Sequence, residues 1–231
     1  SFELRAGESL GVVGASGCGK STLCRALMGL NPIRGGRVEL LGQDLLSPRG
    51  EALRTARRAL QMVFQDPLAC LNPALQVADA IADPLLIHGL CSKAAAREEA
   101  RRLLERVGLS PAEQSQDRLP KQLSGGQQQR VAIARALALK PQVLICDESV
   151  SMLDAEVQAD VLALLRELQQ DLGLAIVFIT HDLSVASGFC HRVMVLDKGK
   201  VVEEGPGDRI FRHPQAPISQ VLVEACPRLP R

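Results

Sequence analysis

A chain of 231 residues with 46% hydrophobic side chains is long enough to bury a substantial core as one domain, or as one domain with a subdomain. Lys and Arg number 27 against 26 Asp and Glu, so a net charge of +1 gives no field for general nucleic-acid binding. With 2% aromatics and neither Trp nor Tyr, a stacking platform for single strands is also excluded. No apolar run approaches the roughly 18–20 residues of a membrane span, and the opening Ser1-Phe2-Glu3-Leu4-Arg5 has no signal-peptide character.

In chain order, residues 10–13 form a short apolar run of the kind that makes a buried strand. Gly14-Ala15-Ser16-Gly17-Cys18-Gly19-Lys20-Ser21 follows and fits G-x-x-x-x-G-K-[ST], and residues 22–28 can be helical before Gly29 stops them. Strand, glycine loop and helix is the context in which backbone N–H groups wrap a phosphate chain and the helix N-terminus adds positive potential. Lys20 is then expected to bridge β- and γ-phosphates and Ser21 to offer its hydroxyl to Mg²⁺. A glycine-rich turn with a chance lysine would not need those flanks. The expected ligand is a nucleoside triphosphate.

Residues 38–41 alternate weakly up to Gly42 and suggest an edge strand or hairpin, and residues 49–60 read as a charged helix. Residues 61–64 are a strand candidate running into Gln65-Asp66-Pro67. From about residue 68 to 120 no strand-like run occurs. Ser92 can cap a helix over 93–107 that Gly108 ends, so this stretch reads as an inserted helical subdomain. Residues 127–139 are expected to be helical, 143–146 a strand covered on both faces, and 157–172 a helix capped by Asp154 and ended by Gly173. Residues 175–179 read as another buried strand, and 193–196 with 200–203 as a hairpin. The proline-rich tail from Pro206 is expected to be irregular apart from a short helix near 218–224. The cysteines at 18, 24, 70, 91, 146, 190 and 226 contain no C-x-x-C pair and are expected to be reduced thiols in a cytosolic setting.

Two further motifs carry chemistry. The strand at 143–146 runs into Asp147 and Glu148, where Asp147 can bind Mg²⁺ and Glu148 can polarise a water for attack on a γ-phosphate. Leu123-Ser124-Gly125-Gly126-Gln127 opens a helix with a hydroxyl, exposed N–H groups and a helix dipole, a second anion site. Two phosphate-binding helix starts in one chain call for two phosphate groups or two copies of the chain.

Leu-Ser-Gly-Gly-Gln at 123–127 is the signature of the ABC ATPases, and the motif order over nearly all 231 residues resembles that family. The resemblance implies an α/β phosphate-loop (RecA-like) core with a parallel sheet, an N-terminal antiparallel β part and an inserted helical subdomain. The core would span 1–67 and 141–231, the helical part 68–140. It implies Gln65 as Q-loop glutamine and metal ligand, Ser151-Met152-Leu153-Asp154 as D-loop, and His181 as switch histidine on the γ-phosphate. Two such subunits, identical or different, would meet head to tail around two ATP molecules. Gly14 to Thr22, Gln65, Asp147, Glu148 and His181 of one would face Ser124, Gly125, Gly126 and Gln127 of the other, with Asp154 at the dimer contact.

Met62-Val63-Phe64-Gln65-Asp66-Pro67, Leu71-Asn72-Pro73 and Ala225-Cys226-Pro227-Arg228-Leu229 look like the oligopeptide, dipeptide and nickel importers. That group implies two permease subunits, an external solute-binding protein, and a peripheral seat on the cytoplasmic face of the inner membrane. Against the family pattern, Ser149 stands where a proline is usual, and the tail lacks the cysteine cluster of some relatives. Only thirteen residues precede Gly14, so Phe2 is expected to lie too close to stack on adenine, the first strand falling outside the sequence. A soluble ABC ATPase of DNA repair or ribosome work is the alternative, but such relatives carry long coiled-coil inserts or two ATPase halves. A GTPase would need an N-K-x-D motif, which is absent.

Overall fold

The computed structural model describes residues 1–33, 35–46 and 50–226. Its strands are β1 (Ser9–Val13), β2 (Glu39–Leu40), β3 (Gln43–Asp44), β4 (Leu60–Val63), β5 (Val143–Asp147), β6 (Ala175–Thr180), β7 (Arg192–Asp197) and β8 (Lys200–Pro206). Its α-helices are α1 (Lys20–Leu27), α2 (Glu51–Ala59), α3 (Val77–Ile87), α4 (Lys93–Arg106), α5 (Gly125–Leu137), α6 (Ala155–Leu172), α7 (Leu183–Phe189), α8 (Gly207–Arg212) and α9 (Pro217–Glu224).

Six strands form one sheet in the order β4-β5-β6-β1-β7-β8. The first five run parallel, and β8 closes the edge antiparallel to β7. Parallel strands need crossovers, and helices on both faces explain why the strands are continuously apolar. The period of two sorts the side chains. Leu144, Cys146, Ile176, Phe178, Val193 and Val195 enter the larger core with α3 to α7. Ile145, Val177, Ile179, Met194 and Leu196 join Cys24 and Ala56 under α1 and α2. The weak hairpin around Leu41-Gly42 is present as the short pair β2 and β3.

Between β4 and β5 the chain is helical, as its composition predicts. Ser92 caps α4 through the Ala95 N–H (3.4 Å), and Arg97 ties α4 to Asp79 of α3 at 3.0 Å. Asp154 caps α6 through the Val157 N–H at 3.0 Å.

The tail is a correction. The stretch directly after Pro206 is not irregular, since α8 follows it, while the helix expected near 218–224 is present as α9 and starts at Pro217; proline at or just before a helix start removes only an N–H the helix cannot use. The Glu203 carboxylate, buried in β8, accepts the N–H groups of Gln215 (3.1 Å) and Ala216 (3.0 Å) and pins the entry to α9. Burial pushes its carboxyl up, but the Ala216 amide, the Gln215 amide and Arg209 hold it below the ordinary value. The expected helix over 49–60 is Glu51–Ala59, Arg49 lying outside the described residues as do Pro227, Arg228 and Leu229. All seven cysteines are free thiols.

Candidate nucleotide site

The parallel ladder sets the site. Cys146 pairs with Val63, Asp147 with Ile179, and Val13 with Thr180, so β4, β5, β6 and β1 end almost level. The next residues off these four carboxyl ends are Phe64-Gln65, Glu148, His181 and Gly14. The carboxyl edge of an open parallel sheet is where α/β proteins hold their ligands.

The loop after β1 curls over the start of α1. Its first two carbonyls are occupied: Lys20 Nζ donates to the Gly14 and Ala15 oxygens at 2.8 and 3.1 Å, and the Cys18 N–H to Ala15 O at 3.2 Å. Lys20 is buried, with its ammonium held inside the loop, while Ala15, Ser16, Gly17, Ser21 and Thr22 are exposed. Gly19 caps α1 at φ +113, a conformation open to glycine alone.

Asp147 closes β5 with one carboxylate oxygen, Oδ1, buried and without a hydrogen-bond partner among the described residues. Burial first and the neighbouring Glu148 second push this carboxyl up, while Lys20 and Arg25 pull it down, so loop lysine and strand acid share one field. One residue earlier, burial pushes the Cys146 thiol up to about 12 and keeps it neutral. An orphaned hard-oxygen donor beside a lysine, with a serine hydroxyl and an amide oxygen to add, fits Mg²⁺.

Glu148 sits at φ +46, which is unusual for a side-chain-bearing residue. Its own N–H donates to Ile179 O at 2.9 Å, and Ser151 returns two donors to Glu148 O, the N–H at 3.1 Å and Oγ at 2.9 Å. This turn brings Oε2 to 3.4 Å from His181 Nδ1, so the two residues singled out from separate motifs face each other. Gln65 is exposed just past β4, and Phe2 packs on the core cluster under α1.

Residues 124–127 belong to a different wall. Ser124 and Gln127 form a capping box, Gln127 N–H to Ser124 Oγ at 3.3 Å and Ser124 N–H to Gln127 Oε1 at 3.0 Å. That cap draws both glycines into α5, which therefore begins at Gly125 rather than Gln127. Their backbone lies on the start of α6: a Cβ on Gly126 would stand 2.4 Å from Val157 Cγ1, and one on Gly125 3.6 Å from Leu153 Cδ2. Asp154 is occupied in capping α6. Sequence reading missed Val157, whose 3.6-residue periodicity marks it as apolar helix face and says nothing about which glycine it meets.

The sheet order, the glycine loop and the acid-ended strand define an α/β phosphate-loop nucleotide-hydrolase fold. The ABC transporter family model matches residues 1–151, and the chain belongs to that family. It is 48% identical over 229 residues to the dipeptide transport ATP-binding protein DppF of Escherichia coli, covering 99% of this chain and 68% of that one. It is 46% identical to the glutathione import ATP-binding protein GsiA of Pectobacterium atrosepticum, covering 98% of this chain and 36% of that one. A probable peptide ABC transporter ATP-binding protein, y4tS of Sinorhizobium fredii, is 48% identical, with 98% and 64% covered. The chain thus spans from about a third to two thirds of these relatives' length.

Among solved structures it resembles the ATP-binding cassette MJ0796, dimeric and bound to ADP and Pi. The TM-score is 0.78 at 33% identity, over 89% of this chain and 88% of that one. CbiO1 of Clostridium perfringens, part of the transporter complex cbiONQ, matches with a TM-score of 0.82 at 29% identity, covering 92% and 82%. Among the described residues no helix is long and apolar enough to cross a membrane.

Proposed function

We propose that this chain is the ATP-binding and ATP-hydrolysing subunit of an ABC importer for peptides, acting where two such subunits meet head to tail. The observation that carries the reading is the level carboxyl edge of four adjacent parallel strands, from which the loop, Gln65, Asp147-Glu148 and His181 all emerge. The relatives named for peptide import support the cargo class, and the dimeric cassette bound to ADP and Pi supports the assembly. Seated on two permeases at the cytoplasmic face of the membrane, the subunit would convert ATP-driven closure and product release into motion.

On this reading the amides of Gly14 to Thr22 wrap the phosphate chain, and Lys20 leaves its two loop carbonyls to bind β- and γ-oxygens. Ser21, Asp147 and Gln65 would hold Mg²⁺, which would supply charge neutralisation for the phosphates. Glu148 accepts a proton from a water whose oxygen attacks the γ-phosphorus, and the bridging oxygen leaves with ADP. His181, already beside Glu148, steadies the γ-phosphate and the carboxylate together. Ser124, Gly125, Gly126 and Gln127 of the partner subunit close over the γ-phosphate, with Asp154 at the seam. Exposed hydroxyl and amide groups at the start of a 13-residue helix suit that task.

The test is Glu148→Gln in the full chain with its partners. Nucleotide binding should persist while hydrolysis falls by about 10²–10⁴-fold. Full turnover in the variant would remove Glu148 from the role.

A further inference from the structure

Phosphate binding by a glycine loop depends on which way its peptide units face, and the structure shows an outside brace on one of them. β7 and β8 are joined by a two-residue turn, Lys198-Gly199, with φ of +47 and +76 and Asp197 paired to Lys200. Both positive values mark the tight hairpin turn that suits the twist of the strands. This turn lies against the phosphate loop. The Gly199 N–H donates to Cys18 O at 2.8 Å, and a Cβ placed on Gly14 would stand 2.4 Å from Leu196 O at the end of β7.

The consequence follows from peptide geometry. A trans peptide unit is rigid and planar, with its C=O and N–H pointing opposite ways. Holding Cys18 C=O outward on the hairpin therefore turns the Gly19 N–H inward, towards the space the loop encloses. Gly19 N–H has no hydrogen-bond partner among the described residues, as a donor reserved for an anion should have none. Three other carbonyls of the loop are held from close by in the chain, those of Gly14 and Ala15 by Lys20 and that of Gly19 by the Leu23 N–H at 2.9 Å. The Cys18–Gly19 unit takes its partner from a strand turn far along the chain.

We infer that Gly199 is a positioning residue for nucleotide binding: its N–H, presented by the Lys198-Gly199 turn, sets the Gly19 amide towards the phosphates. This rests on the proposed ATP site and adds an element outside its motifs. Gly199 is required by its torsion and not by space, because a Cβ there meets no atom within 4 Å. A β-branched residue resists φ +76 and pulls the amide off Cys18, whereas asparagine tolerates the left-handed region and keeps the amide in place.

The experiment compares ATP binding and steady-state hydrolysis of wild type, Gly199→Val, Gly199→Asn and Lys20→Ala full chains, with thermal melts of each. Gly199→Val should bind ATP about tenfold more weakly, the worth of one lost amide orientation, with KM raised more than kcat is lowered. Gly199→Asn should return to near the wild-type value. If Gly199→Val melts too low to assay, Gly199→Ala, whose Cβ also disfavours φ +76 though less than a β-branched side chain does, is read against Gly199→Asn in the same way. Equal affinity in Gly199→Val and wild type, or equal weakening in Gly199→Asn, overturns the inference while the site reading stands. Unweakened binding by Lys20→Ala overturns the site reading itself.

Discussion

Gly126 has two reasons to be glycine, and they can be separated. One is the proposed function, in which the phosphate bound to a partner subunit approaches the start of α5 closely. The other is packing, because an added Cβ would stand 2.4 Å from Val157 Cγ1. Val157 cannot turn aside cheaply, since a β-branched side chain in a helix has one strongly preferred rotamer. Gly126→Ala therefore trades a helix-propensity gain of at most about 1 kcal/mol against an overpacking cost of about 1–3 kcal/mol. The net loss is about 1–2 kcal/mol, which in a chain of this size lowers Tm by about 3–6 °C. Val157→Ala removes the two methyl groups that block the new Cβ, so the double variant should recover most of that loss, a coupling of about 1–2 kcal/mol. Thermal melts of the four members of the cycle measure it, and ATPase assays on the same samples read function. Recovered Tm with hydrolysis still impaired would assign the glycine to phosphate approach as well as packing. Simple additivity of the two single variants would refute the packing argument.

The remaining predictions concern charge. Glu203→Gln should lower stability by about 1–2 kcal/mol, because charge-assisted bonds to the Gln215 and Ala216 amides become neutral ones. A carboxyl held below its ordinary value stabilises above the unfolded pKa and loses that effect as pH falls through the folded one. The Tm gap between wild type and variant should thus be widest at neutral pH and close below about pH 4. A gap that stays constant with pH would contradict it. Asp147→Asn should do the opposite to stability: burial and Glu148 disfavour its charge, so in chelator the variant should melt about 2 °C higher while Mg²⁺-dependent hydrolysis is lost. A lower Tm in chelator would show that the carboxylate is satisfied in solution.

What the chain shows in its sequence and what it hides divide along a physical line. The strands at 10–13, 143–146 and 175–179 are legible because burial on both faces demands continuous apolar runs, and the caps Ser92, Ser124 and Asp154 because capping is local chemistry. The glycine loop and Asp147-Glu148 are legible for the same reason, each being one segment with its own spacing. In the tail the helix near 218–224 is legible and α8 is not, because a proline-rich stretch carries no periodicity of its own. The effect of its prolines depends on what receives the chain next, and here that is Glu203 in the preceding strand, reaching forward to the amides before α9. Gly126 against Val157 and Gly199 against Cys18 are of this second kind. In each, a backbone atom of one segment meets a group far away in the chain, and no periodicity in either segment encodes the partner. The site is accordingly read at two depths. Motifs name the groups proposed to meet the nucleotide, and the fold names those that hold the motifs in shape, among them a hairpin turn that by local pattern alone is an ordinary end to two strands.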